Sequence, residues 1–102
     1  MREVRKGQTI RLRYAHYASG VLADPDTYTI EIDDPAHKNV VDTTESGTME
    51  KEGTGLFYYD YTPPDAATTE TGVYDVDVKF TTGTFVAGLP EKDHFEVVKE
   101  VG

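Results

Sequence analysis

The chain has 102 residues, a formal net charge of −9 and no cysteine. That length suits one domain, which buries roughly 60–70% of the surface its unfolded chain would expose. The missing cysteines exclude disulfides and thiolate metal sites, and the acidity argues against nucleic acid as the primary ligand.

Residues 1–7, which include Arg2, Glu3, Arg5 and Lys6, read as a flexible basic N-terminal arm. No apolar stretch long enough for a signal peptide or a membrane helix follows them. The expectation is a cytosolic product, a part of a larger secreted protein, or a chain that has lost its leader, with no membrane partner. Residues 8–102 read as the domain.

Alternation with period two dominates that domain. In Thr9–Tyr14, Ile10, Leu12 and Tyr14 share one face and Arg11 and Arg13 the other. Asp24-Pro25-Asp26 is a turn, since proline pre-sets φ and aspartate bonds the turn backbone. Thr27–Asp33 follows with Tyr28, Ile30 and Ile32 inward, and Asp34-Pro35 closes it. A short strand is expected over Asn39–Thr43. Thr44–Gly55 reads as a polar loop that holds an edge strand near Thr48–Lys51.

Leu56–Thr62 is an aromatic strand, with Phe57, Tyr59 and Tyr61 on one face and Leu56 and Tyr58 on the other. Pro63-Pro64 ends it. In Val73–Thr81, Tyr74, Val76, Val78 and Phe80 alternate with Asp75, Asp77 and Lys79. After Thr82-Gly83, the runs Thr84–Ala87 and His94–Val98 form one interrupted terminal strand or two short ones, separated at Gly88-Leu89-Pro90. Seven to eight short strands with Gly, Pro and Asp turns predict an all-β antiparallel sandwich.

Glu70-Thr71-Gly72-Val73-Tyr74 has the spacing of a tyrosine corner, in which the hydroxyl bonds back to the chain upstream. A longer pattern joins Asp24-Pro25-Asp26, Ile30-x-Ile32-x-Asp34-Pro35, Gly53–Tyr59, Gly72-Val73-Tyr74 and Phe95-Glu96-Val97. Over about residues 8–99 it resembles the cysteine-free immunoglobulin-like modules of tailed-phage and archaeal-virus structural proteins, bacterial surface proteins and macroglobulin-type repeats. The resemblance implies the immunoglobulin-like sandwich and, for function, a structural role.

No residue set predicts catalysis. Ser19 and Ser46 lie in no triad-like setting, and Gly53-Thr54-Gly55 precedes a strand rather than the helix a phosphate loop needs. His16, His37 and His94 are scattered and read as surface or rim histidines. Asp24, Asp26, Asp33, Asp34, Asp60 and Asp65 read as turn chemistry, against a calcium site that would need six to eight oxygens. No cofactor or metal is expected. Tyr58, Tyr59 and Tyr61 read mainly as packing, with Tyr58 the candidate for exposure on a stacking surface.

All four arginines fall within the first thirteen residues, and the rest of the chain holds five lysines against eighteen acids. Arg2, Arg5, Lys6, Arg11 and Arg13 are therefore the candidate partner-binding residues, forming a basic patch on an acidic body. The alternative is that Arg11 and Arg13 pair across strands with Glu31, Asp75 or Asp77. The expected function is a non-enzymatic structural or interaction module that binds protein, either itself or a larger assembly. The first specific reading is a virion accessory protein of capsid decoration, head or tail. The alternatives are an immunoglobulin-like repeat of a bacterial or archaeal cell surface, acting as spacer or adhesin, and a carbohydrate-binding module. Virion or cell surface is the matching location.

Overall fold

The computed structural model describes residues 2–41, 48–88 and 92–99. Among these it is all-β, with eleven strands and no helix. They are β1 (Arg2–Arg5), β2 (Ile10–Ala15), β3 (Tyr17–Ala18), β4 (Val21–Leu22), β5 (Thr27–Asp33), β6 (Asn39–Val41), β7 (Glu50–Gly53), β8 (Leu56–Tyr61), β9 (Gly72–Thr82), β10 (Phe85–Gly88) and β11 (Asp93–Val98).

The larger sheet runs β1-β11-β9-β5-β6, with β10 on the same edge of β9 as β11 but nearer its far end. The second sheet runs β2-β8-β7, and β3 and β4 form a small hairpin of their own. Every pairing is antiparallel except β1 with β11, which is parallel.

Alternation decides which side chains go inside. Ile30, Ile32, Tyr74, Val76, Val78 and Phe80, expected as core, are all buried. They come from β5 and β9, which pair along seven positions from Thr27↔Thr81 to Asp33↔Asp75. From the second sheet Ile10, Leu12, Phe57 and Tyr61 join the same cluster. Aromatic rings tie the sheets together: Phe57 packs on Tyr28 at 4.3 Å and on Phe80 at 5.6 Å, and Tyr61 on Tyr74 at 6.3 Å and Phe95 at 5.9 Å. Such contacts add to area burial because ring edges and faces carry opposite partial charge.

The tyrosine corner forms. The Tyr74 hydroxyl donates to the Glu70 carbonyl oxygen at 2.7 Å, and the side chain is only 1% exposed. Burial, then the nearby Tyr61, Asp34 and Glu70, push its phenol up to about 12.

Several expectations change. Residues 1–7 are not a loose arm over their described part: Arg2–Arg5 pairs with Phe95–Val98, and Val4 is buried at 5% exposure. One apolar residue suffices because the backbone ladder supplies the rest. The terminal run divides into β10 and β11, the second of the two expectations, which makes eight; β1 and the β3–β4 hairpin add three short pieces to reach eleven. The expected edge strand near Thr48–Lys51 lies at Glu50–Gly53, with Thr48 making one bridge to Thr29. The strand expected over Asn39–Thr43 is seen as Asn39–Val41; Asp42 and Thr43 lie outside the described residues, as do Ser46, Leu89 and Pro90.

A candidate interaction surface

The five basic candidates divide. Arg11 extends from the outer face of β2 and grips Asp60 on β8 with two bonds, Nε to Oδ1 at 2.7 Å and Nη2 to Oδ2 at 2.8 Å. Its guanidinium also lies 4.1 Å above the Tyr58 ring. This hydrogen-bonded pair holds the Asp60 carboxyl below the usual carboxylate range. Arg13 reaches Glu52 more loosely, at 3.5 Å.

The expected partners Glu31, Asp75 and Asp77 are not used. They sit on β5 and β9, in the other sheet, so no cross-strand pair with β2 exists. Arg2 comes from β1 but crosses to β2, where its Nη1 donates to the Arg11 carbonyl at 2.9 Å. Its Nη2 stands 3.5 Å from Asp93, which also accepts from the Tyr14 hydroxyl at 2.8 Å. Burial, then that bond, pushes the Tyr14 phenol up.

Arg2, Arg11 and Arg13 therefore gather along β2, and the other two do not join them. Lys6 donates to the Ala66 carbonyl at 3.0 Å, and the Arg5 backbone amide bonds Gln8. Exposed ion pairs of this kind contribute little to stability.

Other candidates are also dispersed. Among the described residues no group of three or more His, Asp or Glu converges as a metal site. Asp34 bonds the amides of Ala36 and Lys38, which makes it turn chemistry. His94 meets Asp75 at 2.8 Å, and the His16 ring shares a 2.9 Å bond with the Ala23 carbonyl. An open depression of about 340 Å³ beside the tyrosine corner is lined by Asp34, Tyr61, Glu70 and Tyr74 among others. Tyr58 is half-buried with one face under Arg11, and Tyr17, which sequence reasoning passed over, is the exposed tyrosine at 61%.

The larger surprise is at the opposite end. Three connections converge there: the β3–β4 hairpin, the β7–β8 turn and the β9–β10 turn. The His16 amide donates to Gly55 and the Ala23 amide to His16. Asp24 accepts from the Gly55 amide at 2.8 Å and from Lys51 Nζ at 2.7 Å, contacts that lower its pKa, Lys51 first. The Asp26 amide donates to Thr81, and the Gly83 amide donates to the Asp26 carboxylate, both at 2.7 Å. At Gly55, with φ at +70°, a Cβ would stand 2.7 Å from the His16 carbonyl oxygen, so only glycine lets the turn close on the hairpin.

These fastenings leave apolar side chains outside. Of the seven exposed large hydrophobics among the described residues, six lie here: Tyr17, Val21, Leu22, Leu56, Phe85 and Val86. Val21 and Phe85 are 64% and 69% exposed. The stretches 14–23, 53–59 and 80–88 contain no Lys, Arg, Asp or Glu, although such residues make up 28% of the chain. The signal was present in the sequence as three uncharged runs; their meeting at one pole was not. No family model matches the chain, and no curated protein matches it.

Proposed function

We propose that the chain is an immunoglobulin-like sandwich acting as a non-enzymatic structural or interaction module, which docks on a protein partner through the apolar pole. The orders β11-β9-β5 and β2-β8-β7 in separate sheets support the fold reading, because they correspond to the G-F-C and B-E-D orders of immunoglobulin domains, with β1 and the β3–β4 hairpin as departures. The Tyr74–Glu70 bond supports it further.

The observation that carries the functional reading is the pole itself. Exposed single hydrophobics are normal on any surface, but six gathered around three meeting connections, in runs of sequence without Lys, Arg, Asp or Glu, mark a contact site rimmed by Asp24, Asp26 and Lys51. Loops on a rigid scaffold are also where binding residues concentrate. The resemblance to tailed-phage and archaeal-virus modules makes a virion accessory protein the specific reading. The stacking-platform alternative receives less support, because Arg11 covers one face of Tyr58.

The test is co-sedimentation with the native particle encoded beside this gene. The wild-type chain should pellet with the particle, and L22S combined with F85S should weaken that binding at least about tenfold without lowering Tm. Losing two buried aliphatic or aromatic contacts at about 1.5–3 kcal/mol each makes tenfold a lower bound. Equal binding of both chains would remove the pole from the interface.

A further inference from the structure

The two sheets differ in width. The larger places five strands side by side and the smaller three. At about 4.8 Å per strand, the larger is wider by about 10 Å. Contacts between the sheets fix where the excess falls. Tyr14 of β2 reaches Asp93 at the start of β11, and Thr48, just before β7, bridges Thr29 of β5. So β2 faces β11, and β1 extends one strand further with nothing opposite it in the smaller sheet.

The outer edge of β2 is consequently open: among the described residues its six positions pair only with β8. One backbone group on it is already served. The Arg11 carbonyl accepts from the Arg2 guanidinium at 2.9 Å, where the amide of a neighbouring strand would otherwise donate.

We infer that this edge is a strand-addition site, filled by an extended protein segment that carries acidic residues on alternate positions. Charge specifies the occupant. Arg13 projects from the outer face of β2 and Arg2 lies at the edge itself, in a chain whose net charge is −9, whereas Arg11 is already held by Asp60 on the paired side. Arg13 holds Glu52 only at 3.5 Å and is 64% exposed, so it is available to an incoming carboxylate. On the other face Tyr14, only partly buried, calls for an apolar residue between the acids. The arginines also discourage pairing of two β2 edges, since like charges meet there. Backbone bonds would supply affinity and the alternating side chains the selection.

The site is separate from the pole, and the experiment keeps them apart. A synthetic peptide alternating Glu and Val is titrated into isotopically labelled protein at about 1 mM, beside a peptide alternating Lys and Val; millimolar reach covers an interaction of about −4 kcal/mol. The acidic peptide should shift the amides of Arg11, Arg13 and Ala15 and slow the exchange of the latter two. Arg13→Glu should weaken it about tenfold. Ala15→Pro, a second variant at the edge that keeps every arginine, should abolish it, and L22S/F85S should leave it unchanged. No shift with the acidic peptide, equal shifts with the basic one, or shifts confined to another strand would overturn the assignment.

Discussion

Replacing Tyr74 by phenylalanine isolates one hydrogen bond. The ring remains packed on Phe95, at 5.2 Å between centroids, and near Tyr61, so no cavity of consequence opens. What disappears is the donor 2.7 Å from the Glu70 carbonyl. Glu70 is exposed, so water can serve its carbonyl afterwards, and the loss is the net worth of the bond, about 1 kcal/mol. In a domain of about 100 residues this lowers Tm by about 4–8 °C. In urea, with a slope of about 2 kcal/mol per molar, the midpoint falls by about 0.5 M. Circular dichroism during thermal and urea unfolding reads the two in turn. The same variant has a signature in alkali. A phenol raised to about 12 when folded, against about 10 unfolded, favours the folded state below pH 10. As pH climbs from 10 to 12 the unfolded chain loses its proton first, and that stability is lost. Tyr74→Phe should therefore show a shallower decline over this window than the wild type. An unchanged midpoint in urea would refute the corner, and a loss above about 3 kcal/mol would show that packing, not one bond, was removed.

Gly55→Ala should cost about 2–4 kcal/mol, because the new Cβ meets the His16 carbonyl and the Ala23 amide at 2.7 and 2.8 Å in a backbone region that alanine avoids; thermal melts and exchange of the His16 amide report it. Asp34→Ala should cost about 1–3 kcal/mol by leaving the Ala36 and Lys38 amides without their acceptor, read as a lowered urea midpoint. Deleting residues 2–5 should destabilise the domain by about 2–4 kcal/mol, through the lost burial of Val4 and the β1–β11 ladder; an unchanged Tm would restore those residues to a dispensable arm.

The parts legible in the sequence are those whose signal is local and periodic. Ile30 to Ile32 and Tyr74 to Phe80 alternate strictly, and a buried face leaves no freedom in register, so they appear inside as expected. The corner was legible for the same reason, being set by four consecutive spacings. β1 was not: Arg-Glu-Val-Arg has no pattern of its own, and its partner lies about ninety residues away. The pairing of Arg11 and Arg13 failed on a similar point. Alternation tells which face a residue takes, but not which sheet its strand joins, and Asp60 rather than Asp75 stands opposite Arg11. The β3–β4 hairpin escaped notice because two-residue strands about a Ser19-Gly20 turn hold too few positions to show a period.

The parallel contact of β1 with β11 also governs how the domain bears tension. Arg2 stands beside Phe95 and Arg5 beside Val98, so the two strands point the same way. A pull on the chain before β1 and after β11 drives them in opposite directions along their common axis. Every bond of that ladder is then strained together, in shear, instead of opening one after another from an end. Stretching the protein between residues 2 and 98 should require more force than peeling β10 by a pull between residues 2 and 85, and equal forces would contradict the geometry. A module strung in line within a larger assembly would thus meet load first at the seam where its two ends lie side by side.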